Sequence, residues 1–199
     1  LHNWRLSIRP WLRQDDDIAD EWPPYNDPFD VIWNLPRSGL LPLSWGSSFD
    51  LGGYRRCWAV ENRLGDLMGR ISLREIDERR GQARLGVTFA APYVSQGYGT
   101  DSLRMFFDYY FSDLGFVTMV LDVAAVNVRA VRCYERLGFV CVGSDWRTAS
   151  GAFDNTILND PRYAYLRRHF RLVPRGWQSE FLEMQLKKSE WLALRRSGI

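Results

Sequence analysis

Two short segments constrain this chain more than anything else in it: Val94-Ser95-Gln96-Gly97-Tyr98-Gly99-Thr100, and the later run from Asn127 through Ala130, Tyr134 and Gly138 to Phe139. In the first, Gly97 and Gly99 let the backbone approach a ligand closely, and the periodic apolar residues Leu103, Phe106, Phe107 and Tyr110 mark a helix starting there. A helix N-terminus presents unpaired N–H groups and a positive dipole end, so it accepts a pyrophosphate without needing a lysine. Taken alone, such a turn is read equally well as a plain helix cap. In the second segment, Asn127, Ala130 and Tyr134 fall at i, i+3 and i+7, on one stripe of a helix. Ala130 leaves room for a ligand arm, Asn127 can hydrogen-bond to amide groups, and Tyr134 holds a proton near an ordinary pKa of about 10. Alone, that pattern is an amphipathic helix with a core Tyr, closed by Gly138 in a left-handed turn. Together the segments describe a site for a ligand with a pyrophosphate at one end and an amide-bearing arm.

The pair resembles the two signatures of the GNAT superfamily of acyl-CoA-dependent N-acyltransferases: Arg/Gln-x-x-Gly-x-Gly/Ala in the phosphate turn, and Asn-x-x-Ala-x-x-x-Tyr-x-x-x-Gly-Phe in the later helix and strand. Gly97 and Gly99 match the first, and Asn127, Ala130, Tyr134, Gly138 and Phe139 match the second in full. Val94 stands where the family usually has Arg or Gln, with Gln96 two residues on. The resemblance covers roughly residues 4 to 147 and is nearest the branch of bacterial spermidine and ribosomal-protein N-terminal acetyltransferases. It implies a mixed α/β GNAT fold, a central and mostly antiparallel sheet split beside the coenzyme A cleft and flanked by helices. It also implies that backbone groups of Val87, Thr88 and Phe89 hold the pantetheine arm, beside Asn127, Ala130 and Tyr134, and that the amides of Gln96, Gly97, Tyr98, Gly99 and Thr100 hold the pyrophosphate. The implied reaction is direct transfer of an acetyl group from acetyl-CoA to a primary amine of a small molecule or a protein N-terminus, with Tyr134 protonating the leaving thiolate. Positioning of the reactants, worth about 7–11 kcal/mol, would supply more of the rate than proton transfer. No metal is implied.

An aliphatic amine is only about a thousandth neutral at pH 7, so a carboxylate or a water chain has to take its proton. Alternation along Leu67–Asp77 places Leu67, Gly69, Ile71, Leu73, Glu75 and Asp77 on one strand face, which makes Glu75 the first candidate base and Asp77 the second. Spermidine acetyltransferases commonly carry a Glu where this chain has Arg84, and that cation argues against a polyamine acceptor. In the family, acceptor contacts come from the irregular region after the first strand; here it offers Trp22, Tyr25, Asn26 and Trp33, aromatic walls with polar tips.

The remaining pattern fits one domain over residues 1–199: the chain is 46% hydrophobic and 25% charged, enough for one complete core. A net charge of +2 argues against a nucleic-acid partner. Three cysteines without CxxC spacing read as small buried hydrophobes in a cytoplasmic protein, and neither a membrane span nor an export leader is recognisable. The expected strands are 4–11, 55–61, 67–77, 83–90, 118–123, one from Phe139 and one near 178–186; helices are expected at 15–22, from the phosphate turn to about Leu114, and from Asn127. Asp15-Asp16-Asp17 reads as a solvated helix start. Residues 149–176 form an insert in which Asp160-Pro161 opens an expected helix to Phe170, with Tyr163, Leu166 and Phe170 on one face and arginines around it. That face suits a lid over the acceptor site or a homodimer contact, and His169 within it suits packing. Two other classes stay open at this point: a non-catalytic acyl-CoA-binding module, suggested by Arg84, and a ribosome- or RNA-associated modifier, suggested by the insert's arginines.

Overall fold

Among the described residues, every neighbouring strand pair is antiparallel except one, and a cleft opens at that exception. The computed structural model describes residues 1–35, 55–149 and 153–198. The strands are β1 (Leu6–Pro10), β2 (Arg56–Asn62), β3 (Leu67–Asp77), β4 (Gln82–Phe89), β5 (Thr118–Ala124), β6 (Val140–Thr148), β7 (Phe170–Val173) and β8 (Gly176–Lys187). They form one sheet in the order β1-β2-β3-β4-β5-β8-β6, with β7 beside β8. The strands β4 and β5 run parallel and pair only at Gln82↔Thr118, Ala83↔Met119 and Arg84↔Val120. Past Arg84 they part, although β4 continues to Phe89 and β5 to Ala124.

The helices are α1 (Gln14–Asp20), α2 (Tyr98–Ser112), α3 (Val128–Arg136) and α4 (Lys188–Arg196). The expected periodicity of α2 is realised: Leu103, Phe106, Phe107, Tyr110 and Phe111 are all buried against Ile71, Leu73, Leu85 and Leu121 of the sheet. Each such side chain contributes about 1.5–3 kcal/mol, so α2 is held rigidly and its N-terminus becomes a fixed point beside β4. The Tyr110 hydroxyl donates to the Thr118 carbonyl at 2.7 Å and the Ser102 hydroxyl to the Gly99 carbonyl at 3.0 Å, so the polar atoms on that face are satisfied.

Several expectations are corrected. Residues 161–169 form 3-10 turns rather than an α-helix, with Asp160 capping them by accepting from the Arg162 N–H at 2.9 Å. A three-residue period puts Tyr163, Leu166 and His169 on one side, and β7 then begins at Phe170. This face meets its own chain: Leu166, 2% exposed, and Phe170 pack with Phe29, Ile32 and Phe181, while Tyr163 meets Phe29 edge-on at 5.1 Å. The face is therefore covered by the chain itself and is not an exposed stripe awaiting a second subunit. His169 pairs with Glu180 at 2.8 Å, as its packing role required. The insert's arginines are occupied locally: Arg162 on Asp160, Arg167 on the Leu158 carbonyl, and Arg171 on Gln178. Asp15 is not solvated; it is fully buried and takes two bonds from Arg9 at 2.7 and 2.8 Å and one from the Leu12 N–H. Among the cysteines, Cys57 and Cys133 are half-buried, but Cys141 is exposed on β6. The C-terminal α4 was not foreseen; its Trp191 is buried edge-on against Phe107 and donates to Asp108 at 2.9 Å. No helix among the described residues is long and apolar enough to cross a membrane.

Two measurements test this packing. The Leu166→Ala variant should lose about 2–5 kcal/mol of unfolding free energy in urea, the cost of a core cavity; a loss under about 0.5 kcal/mol would show a surface position. Burial by itself would raise the Asp15 carboxyl, but the Arg9 and Leu12 hydrogen bonds and the Arg9 charge outweigh it and hold the group below its usual range. Its stabilising contribution is thus complete above the unfolded value of about 3.9 and disappears as pH falls through the lower folded one. The stability gap between the wild type and Asp15→Asn should therefore narrow below about pH 4 in acid titrations followed by circular dichroism.

Candidate active site

Where β4 and β5 part, the gap becomes a cleft of about 270 Å³. Its walls include Leu85–Phe89 of β4, the turn before α2, Asp122 and Val123 of β5, and α3 as far as Arg136, together with Arg74 of β3 and with Tyr25, Trp33 and Asn34. Strand β4 pairs with β3 along its whole length but with β5 only as far as Arg84, so the stretch 85–89 has one edge without a strand neighbour. Such an edge can accept an extended amide-bearing arm as an added strand.

The turn is shaped by two positive backbone angles, φ +62° at Ser95 and +87° at Gly97. A curl of this kind gathers successive N–H groups into an anion-binding concavity, and Gly97 caps α2, whose dipole adds to it. A side chain on Gly99 would meet only the Phe89 ring, at 3.8 Å, so the position is open toward the cleft without being needed for packing.

Helix α3 supplies the third wall. Asn127 caps it, its side-chain oxygen accepting from the Ala130 N–H at 3.2 Å, and its amide nitrogen remains as a donor. Ala130 and Tyr134 line the cleft one above the other, and Cys133 between them touches the Thr100 hydroxyl at 3.3 Å, which ties α3 to the start of α2. Burial, and after it the neighbouring Cys133 and Asp122, push the Tyr134 phenol above its ordinary value of 10. The group is consequently a proton holder at neutral pH, as a donor to a leaving thiolate must be.

Of the residues expected to hold the cofactor, Val87, Thr88, Phe89, Gly97, Gly99, Thr100, Asn127, Ala130 and Tyr134 line this one cleft. Gln96 and Tyr98 are not part of its wall: the Gln96 amide turns back onto the Pro92 carbonyl, and the Tyr98 ring lies under Arg5 at 4.6 Å. The Phe89 carbonyl is already taken by the Tyr25 hydroxyl. Of the expected acceptor residues, Tyr25 and Trp33 line the cleft and pack together at 5.0 Å, whereas Trp22 and Asn26 do not.

The base candidates are displaced. A bulge in β3 between Arg74 and Asp77 breaks the alternation, and Glu75 there has φ +47°. Its carboxylate is held by Arg84 at 2.8 Å and that of Asp77 lies 3.6 Å from Arg80; neither lines the cleft. Arg84, 5% exposed, also binds Asp122 at 3.0 Å and Glu183 at 3.1 Å. Asp122 takes a second guanidinium from Arg147 at 2.7 Å. Burial would raise the Asp122 carboxyl, but Arg147, Arg84 and Arg74 outweigh that and hold it below its usual value.

Arg5 is a residue the sequence reading missed. From the start of β1 it binds Asp101 at 2.6 Å and the Gln96 carbonyl at 3.1 Å, bracing the turn that in this chain has Val94 at its first position. A contact about 90 residues away in sequence leaves no periodic signal.

A parted parallel strand pair, an N–H-rich turn on one side and a capped helix presenting a tyrosine on the other define an acyl-CoA-dependent N-acyltransferase fold. Residues 5–140 match the family described as the acetyltransferase (GNAT) domain, and the chain belongs to that family. A spermidine N(1)-acetyltransferase of Vibrio cholerae is 31% identical over 85 residues, 43% of this chain and 49% of that protein. The Bacillus subtilis protein named "Putative ribosomal N-acetyltransferase YdaF" is 27% identical over 116 residues, 58% of each chain. The matches thus span about half the length of these curated relatives. In three dimensions, a Vibrio cholerae spermidine N-acetyltransferase solved with CoA and spermine superimposes with a TM-score of 0.67 at 20% identity, covering 96% of this chain and 99% of that one. This likeness agrees with the GNAT fold expected from the two motifs. Among the described residues, no group of His, Cys, Asp and Glu is arranged to hold a metal ion.

The turn is tested by Gly99→Val. Acetyl-CoA should raise the melting temperature of the wild type, since a ligand selective for the folded state stabilises it by mass action. The valine, accommodated beside Phe89 but projecting at the turn, should cut that shift by half or more; an undiminished shift would remove the turn from the binding site.

Proposed function

We propose that this chain is a cytoplasmic N-acetyltransferase, a single domain over residues 1–199, that moves an acetyl group from acetyl-CoA to a primary amine of a small molecule or a peptide N-terminus. The observation that carries this reading is the convergence of the unpaired edge of β4, the turn at 95–99 and Tyr134 on one cleft. The amides of the turn would hold the pyrophosphate and β4 with Asn127 the pantetheine arm, leaving the thioester near Tyr134.

The co-substrate supplies the acetyl group already activated as a thioester, so the chain's part is to orient, exclude water and handle protons. The neutral amine attacks the carbonyl carbon; the new C–N bond replaces the C–S bond. Tyr134 gives its proton to the departing sulfur and recovers one from solvent. The proton shed by the amine passes to water through the open cleft, because Asp122 is held too firmly as a carboxylate by its two arginines to be an effective base. Tyr25 and Trp33 form the acceptor side of the cleft.

A homo-oligomer is part of the proposal. A related Vibrio cholerae spermidine N-acetyltransferase has been solved as a dodecamer. In this chain, the edge strand β6 leaves Val140 and Val142 50% and 54% exposed, a surface suited to a second copy.

The test is Tyr134→Phe. Single-turnover rates should fall by about 10²-fold or more while acetyl-CoA affinity stays within about threefold, the signature of a contact made mainly in the transition state. Unaltered single-turnover rates would reduce Tyr134 to a packing residue.

A further inference from the structure

The turn end of the cleft has an acid built into it. Helix α2 begins at Tyr98 and carries Asp101 in its first turn, next to Thr100 and two residues after Gly99, which both line the cleft. A carboxylate there favours the helix by meeting the positive end of its dipole. It also draws on the same potential that the turn would offer a pyrophosphate, and it repels that ligand directly. The segment 94–100 contains no Lys or Arg to offset the acid.

The offset comes from the other end of the sequence. Just before β1, Arg5 donates from Nη1 to the Asp101 carboxylate at 2.6 Å and from Nη2 to the Gln96 carbonyl at 3.1 Å. Its guanidinium lies over the Tyr98 ring at 4.6 Å, and a Cβ placed on Gly97 would stand 3.4 Å from Nη1. The planar fork of an arginine makes these contacts together, and they hold the cation against the apex of the turn. Among the described residues, Arg5 is the one cation paired with Asp101. The two side chains are 26% and 28% exposed, and an ion pair that is open to water adds little to stability. What the pair changes is the local potential, since Asp101 no longer presents an uncompensated charge beside the turn.

We propose that Arg5 is a positioning residue for the coenzyme, the counter-charge that lets an acidic first turn of α2 receive a pyrophosphate. The inference rests on the acetyl-CoA reading above and places part of the cofactor affinity outside both sequence motifs. When Arg5 is removed, the exposed acid causes the loss, so removing the acid as well should reverse it.

The test measures acetyl-CoA dissociation constants by calorimetry for the wild type, Arg5→Gln, Asp101→Asn and the double variant. At low salt Arg5→Gln should bind about tenfold more weakly, an uncompensated charge beside a dianion. The deficit should shrink to about threefold or less at about 0.5 M NaCl, where charges open to water are screened. Adding Asp101→Asn should restore affinity to within about threefold of the wild type, a coupling that the double-mutant cycle reads directly. Asp101→Asn alone keeps the cation and should bind at least as tightly as the wild type, an arm that does not depend on how Arg5→Gln folds. In Arg5→Gln the KM for S-acetylpantetheine, a donor without the pyrophosphate, should move by less than about threefold. Wild-type affinity in Arg5→Gln, a double variant as weak as Arg5→Gln, or weakened binding in Asp101→Asn would overturn the proposal while leaving the acetyltransferase reading intact. Failure of the wild type to bind acetyl-CoA would overturn both.

Discussion

The structure turns on Arg84. It is the last residue at which β4 and β5 are paired, and from there its guanidinium reaches Glu75 on β3, Asp122 on β5 and Glu183 on β8. A parallel pair that stops after three registers would leave a seam free to close or to slip. A buried cation bonded to three strands at once pins the seam where it opens. Removing such a cation is costly less because the ion pairs are individually strong than because Asp122 would then lose one of its partners in a buried place.

Much of the cleft follows from that pin. Because β5 is bound on its far side by β8 along Thr118–Ala124, it cannot swing back toward β4. The segment β7 extends the same edge of β8 where β5 ends, and the apolar cluster of Phe29, Leu166, Phe170 and Phe181 covers that end of the sheet. The insert is thus a support for the β5 side of the gap. On the other side, α2 is fixed by its row of buried aromatics, so the turn at its N-terminus keeps its place relative to the edge of β4. The turn before α2, the strand edge of β4 and Tyr134 are thereby held on three separately anchored elements, the preorganisation that the proposed direct transfer would require.

Electrostatics divides the cleft in two. Toward the turn, backbone N–H groups and the α2 dipole provide positive potential, and Arg5 is used to brace the turn from behind. Beside Tyr25 and Trp33 the cation is Arg129, which lies over the Trp33 ring at 5.3 Å. Position 84 contributes to this by being an arginine, since it neutralises Asp122 instead of adding a negative charge.

The sequence by itself determined the turn-and-helix half of the cleft, because that half is local: a glycine turn at a helix start and a stripe at i, i+3 and i+7 are short-range patterns, and Gly97, Gly99, Asn127, Ala130 and Tyr134 line one cleft as those patterns imply. The same holds for α2 and for the order of the strands flanking the cleft, whose periodicity reflects burial on one face. Tertiary structure decided what depends on distant partners. A bulge moved Glu75 and Asp77 off the face that alternation gave them, and Arg9 drew Asp15 inside. The core formed by Phe29 and Phe181 took the apolar stripe of the insert, and Arg5 reached the turn before α2 from about 90 residues away in sequence. Ion pairing at the parted strands belongs to this second group as well: a sequence counts arginines and carboxylates, but only the folded chain brings Asp122 to Arg84 and Arg147, because ion pairing is set by distance in space and not along the chain.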